Sequence, residues 1–406
     1  MGVRVVSAPW VLTGSRPAPV VADGAVALDG DVLLAVGPRA EVEARFGRGE
    51  RLEAVLLPAL VNAHVHLELS HLRGRVPGGE GLPAWIQRLV ATRASTPEED
   101  AAIEDAVAQL LRFGVAAVGE VTNGLGALPW LSRAGIAGTV FLEVFGFTAP
   151  RIERALERAR QLAAAAPAAV PGLRLALSPH AVYSTHLPIL AELLRAGPGS
   201  LHLAEDPAER RFCDESAGPF ARMHRSLGVT ELPRLGRSAV SVAAPFLRPE
   251  SLAVHLVDLD DEDRGLLVAA GSTAVLCPRS NLHIGGRLAD LPRLLSAGVP
   301  LAVGTDSLAS TPSLSPLAEL AVLSRAWPQL SPLRLLALAW NGAAVGAPGV
   351  GRLAPGSAPG LVAAPLDPDS ARERPSFAPA RWLLEEFGPA ELPLTWLARH
   401  RPEPTA

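Results

Sequence analysis

Two histidines two residues apart, His64 and His66, stand at the end of the apolar run LLPALVNAHVH. In an extended strand, residues i and i+2 leave the same face, so both imidazoles can converge on one ion; a chance pair at a strand end is the plain alternative. Further along, His202 lies in SLHLAE and Glu205 follows three residues later, where the chain turns from strand toward helix. That spacing sets an imidazole and a carboxylate on one rim. The same two residues also read as a core histidine and as a charge stabilised by a helix N-terminus. His255, in LAVHLVDL, needs a partner wherever it is buried, and Asp306, in PLAVGTDS, reads as a ligand or as the cap of the next segment. Imidazoles joined by a carboxylate suit one borderline divalent ion: zinc first, with iron or manganese as alternatives.

These residues need a scaffold that brings distant positions to one place. From Leu57 onward, eight apolar strand-like runs end in order at His66, Asn123, Gly146, Ser184, Glu205, Leu259, Asn281 and Ser307. Ala/Leu/Arg-rich helical stretches such as EEDAAIEDAVAQLLRFG and RIERALERARQLAAAA separate them. Strand and helix in alternation give a parallel sheet, and eight repeats make a closed (β/α)8 TIM barrel the economical reading. Such barrels carry their chemistry at the carboxyl ends of the strands, which is where His64, His66, His202, His255 and Asp306 all fall. Before Leu57 the chain has short β-like runs with Gly, Pro and Asp turns; after about residue 346, GVGRLAPGSAPGLVAAP is again turn-rich and β-like. The expected class is therefore α/β. A TIM barrel over 57–345 carries a small composite β-sandwich domain built from both chain ends, 1–56 and 346–406. The stretch from Pro365 to Ala406, rich in Pro and Arg, suggests no role.

Composition narrows the function classes. The chain has 406 residues, 49% hydrophobic and 19% charged, enough for a large core and unlike a disordered protein. A net charge of -4 without long runs of like charge offers no field for nucleic acid. No apolar run reaches membrane-spanning length. Two cysteines, Cys213 and Cys277, are too few for a disulfide framework or a thiolate zinc site and fit a reducing cytoplasm. All 37 basic residues are arginine, which excludes a lysine Schiff base and a carbamylated-lysine metal bridge. A single-ion site acting on a small molecule is the expectation, unless Glu120 or Glu143 bridges two metals; a homodimer is left open.

The motifs NAHVH, SPH, LHLAE, AVH and GTDSLAS, in this order, resemble the deaminase and chlorohydrolase branch of the amidohydrolase superfamily. The likeness runs from the N-terminal β-module to the turn-rich region after the barrel. It implies a metal held by His64, His66, His202 and Asp306, with Glu205, His255 and Asp306 as the catalytic groups. In that scheme metal-activated water attacks a ring carbon bearing an amine. Asp306 accepts the water proton, Glu205 protonates the ring and then the leaving amine, and His255 hydrogen-bonds the reacting oxygen. His180 resembles a substrate-contacting histidine, and Ser280 and Asn281 resemble a pocket-lining loop. Glu120, Glu143 and Trp85 complete the expected substrate contacts, Trp85 as a lid aromatic or as plain packing against a helix. NAHVHLELSHLRG with GEVTN is most similar to the 6-aminodeoxyfutalosine deaminases. Hydrolysis of a cyclic amide or a halogenated heterocycle at the same site is the alternative. Two departures stand out: GTDSLAST lacks an asparagine common after this signature, and GLVA replaces Ala-Asp-Leu-Val.

Overall fold

The computed structural model describes residues 2–15, 19–167, 170–366 and 378–401. The barrel is laid down by β6 (Leu60–Val65), β7 (Val115–Thr122), β8 (Ala137–Val144) and β9 (Leu173–Pro179), paired in parallel, followed by β10 (Ser200–Leu203), β11 (Leu252–His255), β12 (Thr273–Leu276) and β13 (Leu301–Val303), also parallel. Parallel strands covered on both faces read as continuous apolar runs, and all eight residues of β7 are buried.

Two seams close these half-barrels into one. On one side the His202 N–H donates to the His180 carbonyl at 2.9 Å, next to a parallel bridge between Ala181 and His202. On the other, the Thr305 and Asp306 N–H groups both donate to the His64 carbonyl at 3.0 Å. Asn62 reinforces that second seam: its amide donates to the Thr305 hydroxyl at 2.8 Å, and its oxygen accepts from the Thr305 N–H at 3.1 Å. Gly304 makes the approach possible, because a Cβ there would lie 2.7 Å from the His64 Cβ and 2.8 Å from its backbone N and O. The result is the (β/α)8 barrel that the alternation implied.

Helices pack outside in register with their apolar stripes. In Asp100–Arg112 the buried positions Ile103, Ala106, Val107 and Leu110 recur at one-turn spacing, and Gly114, at φ +70°, ends the excursion before β7. A reciprocal capping box between Asp260 and Asp263 starts the helix Asp261–Ala270.

The chain ends share one sheet. It runs β15-β14-β5-β1-β2-β3, with β4 also on β1, from β1 (Arg4–Leu12), β2 (Val20–Asp29), β3 (Val32–Pro38), β4 (Glu50–Arg51), β5 (Ala54–Pro58), β14 (Pro359–Pro365) and β15 (Thr395–His400). Val6, Leu28, Leu33, Leu56, Leu361 and Ala398, from strands across the sheet, meet in one apolar core. Asp31, in the β2–β3 turn, accepts from the Arg399 N–H and pairs with Arg401, so the sheet folds over until its edges meet. The sandwich layers are thus continuous in hydrogen bonding. The first apolar run is two strands, β5 in this sheet and β6 in the barrel, joined at Ala59. Of the tail beyond Pro365, residues 367–377 and 402–406 lie outside the described residues; Pro379–Trp382 is helical and Thr395–His400 forms the edge strand β15.

Candidate active site

The ends of β6 and β10 bring three imidazoles together. Ligating nitrogens of His64, His66 and His202 all lie within 4.8 Å of one another, and all three residues are buried. His202 donates from Nδ1 to the His180 carbonyl at 3.1 Å, which fixes the proton there and leaves Nε2 as a lone pair. His66 hydrogen-bonds the Val121 backbone. Its Nε2 stands 3.3 Å from the His202 Nε2. His64 contacts the Ser200 hydroxyl through Nδ1 at 3.3 Å, while its Nε2 is buried with no partner. Lone pairs converging at this separation repel unless a cation lies among them, and an unpartnered buried nitrogen is costly. The donor set fits a divalent metal. Burial holds all three histidines below their ordinary range, His66 at about 3, so each is neutral and ready to ligate.

Asp306 completes the ring from the end of β13. Its Oδ1 lies 3.8 Å from the His66 Nε2. Three donors hold the carboxylate: the Ser307 N–H to Oδ1 at 2.7 Å, and the Ser280 and Ser310 hydroxyls to Oδ2 at 2.5 and 3.0 Å. Burial alone raises its pKa, yet the His66 and His255 imidazoles and the Ser280 hydroxyl outweigh it and keep Asp306 ionised.

Glu205 and His255 face each other across the opening. The Asn281 amide donates to the His255 Nδ1 at 3.0 Å, so in this arrangement Nε2 carries the ring proton, 3.6 Å from the Glu205 Oε2. Burial lowers His255 to about 3 and raises Glu205 well above the usual carboxylate range, with the Asp306 charge adding to the second effect. Burial thus favours the protonated form of Glu205 beside a neutral His255 imidazole, a pair able to give and stabilise a proton.

The backbone around these groups is strained. Ala204, His255, Leu256 and Asp306 all have positive φ, between +52° and +78°. Non-glycine residues in this region cost about 1–3 kcal/mol each and persist only where the surroundings hold them. Four of them at three strand ends of one rim show that strand termination is what turns these side chains inward.

The remaining expected contacts separate. Glu143 and His180 lie beside the cluster: their ligating atoms and one of His202 fall within 4.8 Å of one another, and the Glu143 Oε1 is 3.7 Å from the His202 Nδ1. His180 is anchored through Nδ1 to the Ser184 hydroxyl at 2.6 Å and lowered by burial to about 4. Ser280 and Asn281 are turned to Asp306 and His255 rather than to open space. The reason is local: Pro278 begins a helix, Pro278–Gly285, directly after the short β12, so both sit on its first turn instead of in a loop. Glu120 is fully enclosed and accepts from the Leu67 N–H at 3.1 Å, holding the chain just after His66. Trp85 is buried among core apolar residues.

Two supporting residues had no part in the sequence reading. Asn62 lies inside the quoted motif NAHVH but has no chemistry of its own. Glu209, wholly buried, accepts from the Glu205 N–H at 3.1 Å and from the backbone of Ala204. The one available sign was its place one helical turn after Glu205.

Comparison with known proteins agrees with this geometry. The amidohydrolase family model matches residues 55–379. The chain is 30% identical to a 5-methylthioadenosine/S-adenosylhomocysteine deaminase of Nitratidesulfovibrio vulgaris, over 97% of this chain and 90% of that one. It is 31% identical to an aminodeoxyfutalosine deaminase of Deinococcus radiodurans, covering 79% and 80% of the two chains. The fold is similar to that of a zinc-bound adenosine deaminase from Xanthomonas campestris, with a TM-score of 0.76, 24% identity and coverage of 99% and 94%. With four fifths of its length matched by the family model and a three-histidine cluster at the barrel rim, this chain belongs to the amidohydrolase family, hydrolases of carbon–nitrogen bonds.

Proposed function

We propose that the protein is a metal-dependent deaminase of amino-purine nucleosides or related amino-heterocycles, with 6-aminodeoxyfutalosine the leading candidate, giving the oxo compound and ammonia. The observation that carries this reading is the placement of Glu205: a buried carboxyl that burial pushes toward its protonated form, its Oε2 3.6 Å from the His255 Nε2, opposite Asp306 across a cluster suited to a divalent ion. Deamination needs an acid at the ring and an acceptor at the water. His64, His66, His202 and Asp306 would hold the ion, which when bound would supply water acidified to near neutral pH. Asp306 takes the proton from the attacking water and presents it toward the reacting side. Glu205 gives its proton to the ring nitrogen as addition proceeds; the proton held by Asp306 passes to the departing amine, and Glu205 recovers a proton from the hydroxyl that becomes the carbonyl. His255, with its proton on Nε2 through Asn281, donates to the oxygen that becomes the new carbonyl. His180 holds the part of the substrate beyond the reacting ring. The two relatives at 30 and 31% identity, one named a 5-methylthioadenosine/S-adenosylhomocysteine deaminase and the other an aminodeoxyfutalosine deaminase, support the substrate class.

The test is ammonia release, with the ultraviolet shift of deamination, from 6-aminodeoxyfutalosine, adenosine, methylthioadenosine and simple amino-pyrimidines. Glu205→Gln should keep its metal and lose turnover by about a hundredfold or more, because proton transfer alone is removed. No ammonia from any of these compounds, with cleavage of a cyclic amide or a carbon–halogen bond instead, refutes the deaminase reading.

A further inference from the structure

We infer that Arg279 is a positioning residue of the proposed reaction, a hub through which the tail residue Glu391 holds the Asp306 carboxylate in place. What Asp306 does rests on the deaminase reading; the hub stands on geometry. Arg279 lies one residue before Ser280, on the first turn of the helix Pro278–Gly285. Its backbone N–H donates to the Glu319 Oε2 at 2.8 Å, and its Nε stands 3.8 Å from the Glu319 Oε1. Nη1 donates to the Ser313 hydroxyl at 3.0 Å and Nη2 to the Glu391 Oε1 at 2.9 Å. The Ser313 hydroxyl donates to that same Glu391 oxygen at 2.6 Å, which closes a triangle of side chains. Glu319 is fully enclosed and the Arg279 side chain is 14% exposed, so water competes little for these bonds.

Both hydroxyls that hold the Asp306 Oδ2 hang from this hub. Ser280, one of them, follows Arg279 directly. Ser310, the other, directly precedes Thr311, whose hydroxyl donates to the Glu319 Oε1 at 3.4 Å. A guanidinium presents its donors in a rigid planar fork, so tying it to Glu391 and Ser313 fixes the helical turn that carries it. The far end of the hub is the tail, to which the sequence assigned no role. Leu383, Leu384 and Phe387 join the barrel core, and Glu391 then turns back with φ +50°. A residue with a side chain keeps that backbone conformation only where its surroundings hold it, and here the Arg279 fork and Ser313 are what its carboxylate meets. The tail thus reaches the reacting centre through one arginine, although its own strand β15 lies in the other domain.

The experiment uses the metal-loaded full chain as wild type, Arg279→Met, Glu391→Ala, the two changes together, and Glu391→Gln. Asp31→Ala is the control, because it releases the Arg399 N–H and Arg401 and loosens the last strand of the tail without touching the hub. Arg279→Met should lower kcat about a hundredfold and Glu391→Ala about tenfold, each with KM within about twofold, since a displaced proton acceptor slows the chemical step and leaves binding alone. The double variant should be no slower than Arg279→Met, because both changes remove one contact. Glu391→Gln keeps an acceptor oxygen and should recover most of the loss, and Asp31→Ala should match wild type. A raised KM at unchanged kcat, losses that multiply in the double variant, or an Asp31→Ala variant as slow as Glu391→Ala overturns the proposal. If Arg279→Met fails to fold, the two Glu391 variants against Asp31→Ala decide alone. If no compound releases ammonia, the deaminase reading has failed by itself, and hydrogen exchange decides the hub. In Glu391→Ala the amides of 278–285 and the Ser307 N–H, bonded to the Asp306 Oδ1 at 2.7 Å, should exchange about tenfold faster than in wild type and in Asp31→Ala. Unchanged exchange there overturns it.

Discussion

Removing the Glu209 carboxyl should unhook Glu205, the proposed catalytic acid, without touching it. Glu209 stands on the helix Pro207–Glu215, and its carboxyl holds the Glu205 N–H at 3.1 Å and the Ala204 backbone, which is in the left-handed region at φ +52°. Glu209→Ala leaves two enclosed N–H groups without an acceptor, each costing about 1–3 kcal/mol. The sum, roughly 2–6 kcal/mol, is a large part of the 5–15 kcal/mol that holds a typical domain together. Water entering the vacated space recovers some of it. What remains is an Ala204–Glu205 segment free to leave its strained conformation. A displacement of about 1 Å in a proton donor is worth about a hundredfold in rate. We expect kcat to fall by that order, with metal content near normal, because His202 keeps its own bond to the His180 carbonyl.

Glu209→Gln separates geometry from charge. Burial raises Glu209 to about 8, so below that pH the native side chain is the neutral acid, which glutamine imitates in shape and acceptor. Turnover at pH 7 should stay within about threefold of wild type, the equivalent of ~0.7 kcal/mol. The same raised pKa has a sign for stability. The folded protein binds a proton that the unfolded chain releases above about 4.5, so this contribution is full below pH 4.5 and is lost as pH rises through about 8. The wild-type Tm, measured by circular dichroism, should fall between pH 5 and 8 more steeply than that of Glu209→Gln. If glutamine is as damaging as alanine at pH 7, or the two Tm profiles run parallel, the carboxyl is ionised in the fold and the reasoning is refuted.

The Gly304→Ala change drives a methyl group against the His64 Cβ at 2.7 Å, costs about 1–3 kcal/mol by overpacking, and should lower metal content by elemental analysis; full occupancy with an unchanged Tm refutes it. Purified protein should carry about one divalent ion per chain; two at full occupancy would refute the single-ion reading and point to Glu120 or Glu143 as a bridge. His180→Ala should raise KM more than it lowers kcat, since the backbone carbonyl that orients His202 survives; equal loss in both points to a role in the chemical step.

The barrel was legible because eight apolar runs alternate with helical stretches, and the juxtaposition of the candidate site residues because they stand near the ends of those runs. What could not be read was where each run stops. TAVLCPRSN reads as one strand to Asn281, yet Pro278 cannot extend the ladder and starts a helix, so Ser280 and Asn281 become supports of Asp306 and His255. LLPALVNAHVH reads as one strand but divides at Ala59 between two sheets, a tertiary choice that no local pattern records. Glu120 and Glu143 look alike in sequence, each a glutamate near a strand end. One is consumed by the Leu67 N–H, the other keeps an open oxygen, and only the path of the chain after His66 distinguishes them.

The metal cluster and the closure of the barrel are one structural event. His64 accepts through its carbonyl the hydrogen bonds that join β13 to β6, and His202 donates through its N–H the bond that joins β10 to the end of β9. His64 and His202, as proposed ligands, are therefore fixed by the same contacts that shut the sheet, and Asp306 would reach an ion from the residue whose own N–H makes the seam. A cation among His64, His66 and His202 ties both halves of the barrel across their interior. Metal binding should accordingly stabilise the whole fold, because an ion bound by the native chain and not by the unfolded one raises stability with its free concentration. A chelator that strips the ion should lower Tm for the barrel as a single transition. A local change near the rim, with the main transition unmoved, would show instead that the seams hold without the ion.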